Sequence, residues 1–176
     1  MNITYIITVI IHSTGGWAIK SQTIFMYISC FIFVLTAYKI PKKMKPYEIY
    51  VTSLFAVLFG LIVDLVLAVK YKLYVLDDPG IQINPLIGQV VLYWTASIIT
   101  LNLYPFDQSK TKKFIYVSIL TLLTVAFELL SSLFGFIKYN EWKIWYSVLC
   151  YPFLIMFLVL HFKLFQRLVN RSLKQP

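Results

Sequence analysis

Residues Ile49–Val69 read IYVTSLFAVLFGLIVDLVLAV, an apolar run broken by a single ionisable side chain, Asp64. A helix rising about 1.5 Å per residue needs roughly 20 such residues to cross a hydrocarbon layer of about 30 Å. Lipid offers backbone groups no partner, so only a helix or a closed barrel can span it. A barrel strand would alternate apolar and polar residues, and this run does not.

Four further runs of similar kind lie around it, so the spacing predicts spans at about 22–38, 49–69, 86–104, 114–137 and 144–162, with a basic tail over 163–176. The fold class is therefore all-α, a polytopic bundle of five transmembrane helices forming one integral membrane domain. Composition points the same way: 60% of the 176 residues are hydrophobic and 13% charged, against about 45–50% and about 25% in soluble domains. This excludes a disordered chain and argues against a soluble globular one. The net charge of +9 sits in clusters between apolar runs, the pattern of membrane loops rather than of a nucleic-acid-binding face. The expected surroundings are the lipid bilayer, with a membrane-protein partner or a second copy as further contacts, and no nucleic acid.

Residues Ile3–Ile11 are apolar but too short to span, and no Lys or Arg precedes them. A secretory signal would need a basic flank and a small-residue cleavage site. This part reads as a retained interfacial segment, with a sixth span over residues 3–19 as the alternative.

Punctuation falls where spans should end. Pro41 and Pro46 bracket a basic loop, and Glu48 lies in the electropositive first turn of the second span. Asn84-Pro85 reads as the cap and first position of the third span, and Pro105 as its stop. Pro152 should kink the fifth. Lys39, Lys42, Lys43 and Lys45, then Lys110, Lys112 and Lys113, then Lys163, Arg167, Arg171 and Lys174 share one side of a five-span chain, whereas Lys20, Lys70, Lys72, Lys138 and Lys143 share the other. The positive-inside rule then sets the N-terminus outside and the C-terminus in the cytoplasm of a multi-pass cell-membrane protein. Tyr47 and Tyr50 on one side, and Tyr71, Tyr74, Tyr139, Trp142 and Trp145 on the other, form the aromatic belts.

Two carboxylates fall inside spans, Asp64 and Glu128. Insertion scales put the cost of a charge there at about 2.5–3.5 kcal/mol, so such groups usually face a bundle interior or a wet cavity. Counted along their own helices, both lie about 21–22 Å from the inner boundary. Ser53, Ala56, Gly60 and Asp64 form one helical face, Thr121, Thr124, Glu128 and Ser131 a second, and Gln89, Tyr93, Ser97 and Thr100 a third. Small and polar residues let membrane helices approach and hydrogen-bond. The expected polar layer holds Asp64, Glu128, Gln89, Tyr93, Tyr146 and Ser147, as either an ion or proton site or a packing site. No Lys or Arg shares that depth, although Lys70 and Lys138 could reach down. Enzyme motifs are missing: there is no phosphate loop, GxSxG or HExxH. His12 and His161 are far apart, and Cys30 and Cys150 lie in apolar runs. No metal, cofactor or catalytic residue is expected. His161 reads as an interfacial or helix-terminal residue, and the tail as a membrane-surface helix.

Tyr139-Asn140-Glu141-Trp142-Lys143-Ile144-Trp145-Tyr146 forms the loop into the fifth span. Trp142 and Trp145 would share a helix face that Asn140 caps. With Tyr139 they would form an outer surface, either a rigid hairpin or a vestibule over Glu128. Together with Lys39-Ile40-Pro41-Lys42-Lys43-Met44, with Asp64 and Pro79-Gly80-Ile81, and with Asn102-Leu103-Tyr104-Pro105-Phe106, this block resembles an uncharacterised family of small multi-spanning membrane proteins from spore-forming Gram-positive bacteria. The resemblance covers about residues 30–168. It implies a bacterial host and a multi-pass topology but no reaction; a second acid common in that family is Ala68 here. The reading that follows is a non-enzymatic accessory or structural subunit of a bacterial membrane assembly. The alternative is a small channel or transporter component with a proton or cation site at Asp64 and Glu128.

Overall fold

The computed structural model describes residues 20–78 and 83–173, without the side chain of Asn84. The expected interfacial segment, its sixth-span alternative and Lys174 lie outside this set. Of the described residues, 79% are helical. It runs α1 (Ser21–Lys39), α2 (Pro46–Asp64), a π-helical turn (Leu65–Lys70), β1 (Tyr74–Leu76), α3 (Ile83–Leu103), α4 (Lys110–Leu133), β2 (Ile137–Tyr139) and α5 (Ile144–Ser172). Among the described residues, five helices are long and apolar enough to cross a membrane: Ser21–Lys39, Pro46–Lys70, Pro85–Leu103, Lys110–Leu133 and Ile144–Ser172. Most of their surface faces outward as Leu, Ile, Val and Phe, such as Phe31, Leu122 and Phe153. A surface of this kind is compatible with a membrane environment. α3 packs against both α1 and α2, α5 against α4 and α2.

Successive helices run in opposite directions, so the lysine-rich loops gather at one end of the bundle and the two short strands at the other. The basic end is closed by Met44, Leu101, Tyr104, Val117, Ile155, Val159 and Phe162. Asn102, with no exposed surface, pins the first loop to α3: its Oδ1 accepts from the amides of Lys43 (2.7 Å) and Met44 (3.1 Å), and its Nδ2 donates to the Ile98 carbonyl (2.9 Å). Glu48 accepts from the Lys45 amide at 2.8 Å, capping α2 behind Pro46 as expected, and also from Gln166 of α5 at 2.9 Å.

The opposite end is not the pair of plain turns that the sequence suggests. β1 and β2 pair antiparallel in the register Tyr74↔Tyr139, Val75↔Lys138 and Leu76↔Ile137. The second span leaves its α geometry at Leu65, and a wider turn closes with the Tyr71 amide on the Val66 carbonyl at 3.0 Å. Lys72 and Asp77 both take positive φ, 54° and 62°, a conformation that side-chain-bearing residues adopt sparingly. The fourth span stops at Leu133, short of the expected Ile137. Gly135 takes φ 81°, and the Phe136 amide returns to the Ser131 carbonyl at 2.8 Å, a Schellman-type stop that frees Phe136–Tyr139 for the strand.

Other expectations are corrected. α3 is under way at Ile83, so Pro85 stands in its first turn rather than at its first position. α5, with Pro152 inside it, runs on to Ser172, so residues 163–172 extend the fifth helix instead of forming a separate surface helix. His161 is therefore not at a helix end. Its ring stacks on Phe55 of α2, centroids 3.7 Å apart and planes within 3°. Asn140 does not cap α5: its Nδ2 donates to the Lys72 carbonyl at 3.0 Å, and the helix starts behind Lys143 without a side-chain cap.

Candidate functional site

At the strand end each of the acids Asp64 and Glu128 sits in its own nest of donors. Asp64 Oδ1 accepts from the Tyr74 hydroxyl at 2.6 Å, and Oδ2 accepts from Gln89 Nε2 at 3.1 Å and from the Tyr93 hydroxyl. Glu128 Oε1 accepts from the Tyr139 hydroxyl and from Ser147 Oγ, both at 2.8 Å, and Oε2 accepts from the Tyr151 hydroxyl. Trp142 Nε1 in turn donates to Ser147 Oγ at 2.8 Å. Every bond of these nests except that last one joins the acid to a neutral hydroxyl or amide. Each acid ties three separate positions of the chain to its own helix.

The nests share a plan. A helix carries the acid. The strand after it returns a tyrosine, Tyr74 ten residues past Asp64 and Tyr139 eleven past Glu128. The next helix adds a polar residue and, one turn on, a second tyrosine: Gln89 with Tyr93, Ser147 with Tyr151. The returned tyrosines are register partners, so the two nests meet across the strand pair. Burial first, and then Asp64, Tyr151 and Glu128 nearby, hold the Tyr74 phenol above the ordinary tyrosine range. Tyr139 is shifted the same way, by burial and then by its bond to Glu128.

Of the expected layer, Asp64, Gln89 and Tyr93 come together, and Glu128 and Ser147 come together. Tyr146 does not join them. It packs between Trp142 and Trp145, ring centroids 5.3 and 4.0 Å away. Lys70 and Lys138 do not reach the acids either: Lys70 lies over the Tyr71 ring and Lys138 donates to Asp78 at 3.1 Å. Trp142 precedes α5, so it forms no helical pair with Trp145. Its ring lies edge-on to Tyr74. In the loop before α5, Tyr139 donates to Glu128 and Trp142 to Ser147, while Asn140 binds the turn at Lys72 and Trp145 is 51% exposed. The sequence reading missed Tyr74 and Tyr151 as donors and placed Tyr139 only on the outer surface. The equal four-residue spacing of Gln89–Tyr93 and Ser147–Tyr151 is the signal that could have found Tyr151.

The surrounding frame is built to hold these groups. An added Cβ at Gly60 would stand 2.8 Å from two ring atoms of Tyr93, so only glycine lets that ring lie across α2. The amides of Asn140, Glu141 and Trp142 all point at the Leu73 carbonyl, 3.0–3.1 Å away. α1 is fastened to the same end by Gln22 Nε2 on Asp77 at 2.6 Å and by Lys20 on Asp78. Lys20 and Lys138 together hold the Asp78 carboxyl below the usual carboxylate range. Among the described residues, those two contacts are the ion pairs, and no group of three or more His, Cys, Asp or Glu is placed to hold a metal.

No family model matches the chain, and neither a curated protein nor a solved structure matches it.

Proposed function

We propose that this is a non-enzymatic, multi-pass protein of a bacterial cell membrane, N-terminus outside, serving as an accessory or structural subunit of a membrane assembly. In this reading Asp64 and Glu128 lock its outer end. The observation that carries it is the donor set: both oxygens of both acids already accept from Tyr, Ser or Gln on other elements. A cation would have to displace those donors. The nests instead link α2 to α3 and α4 to α5, the use of buried polar residues as interhelical glue. The family resemblance supports the bacterial host and the topology.

The alternative, a channel or transporter component with a proton or cation site at the same acids, draws on the meeting of the two nests at Tyr74 and Tyr139. Hydroxyls can turn to accept as well as donate, so a proton fits this layer more readily than a metal ion does. Reconstitution separates the readings. Purified protein in liposomes should show no pH-gradient dissipation above empty vesicles, and gentle solubilisation should retain a stoichiometric membrane partner. Proton flux abolished by Glu128→Gln would overturn the structural reading in favour of the alternative.

A further inference from the structure

A groove lies away from the acids, between α1 and α3 toward the basic end. The two helices are tight at the other end, where Met26 is 3% exposed against Gly88 and Cys30 Sγ approaches the Gly88 carbonyl at 3.7 Å. From that apex they leave an open groove of about 510 Å³, within the usual size of small-molecule sites. Val34 and Tyr38 line it from α1, and Val90, Val91, Trp94 and Ile98 from α3. Its wall offers little hydrogen bonding. The one hydroxyl on the α3 side, Thr95, is buried and spent on the Val91 carbonyl at 2.7 Å.

The groove's mouth has the opposite character. Lys42 belongs to its lining, and its ammonium is held there by the Ala37, Tyr38 and Ile40 carbonyls that end α1. The neighbouring loop residues Lys39, Lys43 and Lys45 carry no acid among them. Lys42 therefore stands at one end of an apolar slot about 12 Å long, taking Val90 to Ile98 at 1.5 Å per residue, with the exposed Lys39, Lys43 and Lys45 beside it in sequence. An occupant must be apolar along its length and anionic at the end nearest Lys42.

We infer that this groove binds an anionic phospholipid, one acyl chain lying between α1 and α3 and the headgroup phosphate facing the Lys42 loop. The inference rests on the chain being inserted in a bilayer. Basic pockets between membrane helices are the usual form of such sites. Lys42 supplies a fixed positive charge, since its protons are engaged by carbonyls, and the exposed Lys39 and Lys43 supply donors. Trp94, edge-on to Tyr50 with centroids 6.1 Å apart, stiffens the far wall.

Native mass spectrometry of the full chain, released from nanodiscs of phosphatidylglycerol and phosphatidylcholine in equal parts, tests this. Retention of phosphatidylglycerol in clear excess is expected. Lys42→Gln should weaken it about fivefold, the effect of roughly 1 kcal/mol per basic residue near an anionic surface. Val91→Trp, which fills the slot and leaves every charge in place, should abolish the preference, and it covers the case in which Lys42→Gln loosens the end of α1. Equal retention of the two lipids would overturn the proposal. So would a preference untouched by Val91→Trp, which means headgroup adsorption alone. A preference that emerges only when residues 1–19 are removed would show that segment to be the occupant, and lipid-free dimers abolished by Val91→Trp would show a second copy; each refutes the lipid. Carbonate extraction of the same membranes reports insertion separately, so failure of the site and failure of the membrane reading are told apart.

Discussion

Removing the Glu128 carboxylate should cost far more than neutralising it. In Glu128→Ala, the hydroxyls of Tyr139, Ser147 and Tyr151 lose their shared acceptor at once. Interhelical hydrogen bonds in membrane proteins average about 0.6 kcal/mol and reach about 1.7. Three of them set the expected loss at about 2–5 kcal/mol, with the emptied volume adding to it. Glu128→Gln keeps the shape and one acceptor oxygen, and the freed hydroxyls can rotate, so about 1 kcal/mol is expected. Ser147 is 2% exposed and cannot turn to water instead. Equilibrium unfolding in mixed micelles would measure the difference. Tryptophan fluorescence reports on the right place, because Trp142 donates to Ser147 at 2.8 Å. A Glu128→Ala protein within about 0.5 kcal/mol of the parent, where ordinary surface changes fall, would refute the reasoning. So would Gln and Ala variants of equal stability.

Further outcomes follow from the same geometry. Gly60→Ala should destabilise by about 1–3 kcal/mol, as overpacking does, because Tyr93 cannot retreat while Asp64 holds its hydroxyl; thermal unfolding would show it, and combination with Tyr93→Leu should recover most of the loss. Asn102→Ala strips the acceptor from two loop amides, each worth about 1–3 kcal/mol when left buried and unpaired, and hydrogen exchange at Lys43 and Met44 should rise. Asp78 has a depressed pKa when folded, so its contribution is present above the unfolded value of about 3.9 and is lost as pH falls through the lower folded one. Hydrogen exchange at the start of α1 should therefore rise below about pH 4, and Asp78→Asn should show the raised exchange at neutral pH with no further change in that window.

The spans were legible because lipid imposes length and hydropathy on the sequence directly. Asp64, Glu128, Gln89, Tyr93 and Ser147 were legible because each lies on a helix whose period and rise can be counted. Tyr74 and Tyr139 as acid ligands were not. They lie beyond their helix ends, where counting by helical rise carries them away from the acids; the strand pairing and the positive φ of Lys72 and Asp77 turn the chain back instead. Glycine at 135 signals a helix stop, but the partner of the segment it releases depends on a strand 61 residues earlier, a long-range pairing that local pattern does not encode. The reach of α5 to Ser172 was hidden by its charges, which read as a separate surface helix; Gln166 on Glu48 and Phe165 against Tyr47 hold the extension to α2.

Water access to the acid layer tests the central claim most directly. In a Cys30→Ser, Cys150→Ser background, Ser147→Cys places a thiol beside Glu128 with little change in shape, and Glu141→Cys places one on the exposed loop. Both would be treated with a charged thiol reagent added to either face of sealed vesicles. A closed, hydrogen-bonded lock predicts rapid labelling at 141 and none at 147 from either side. Labelling at 147 as fast as at 141 would mean a wet cavity at Glu128, and the lock would be wrong.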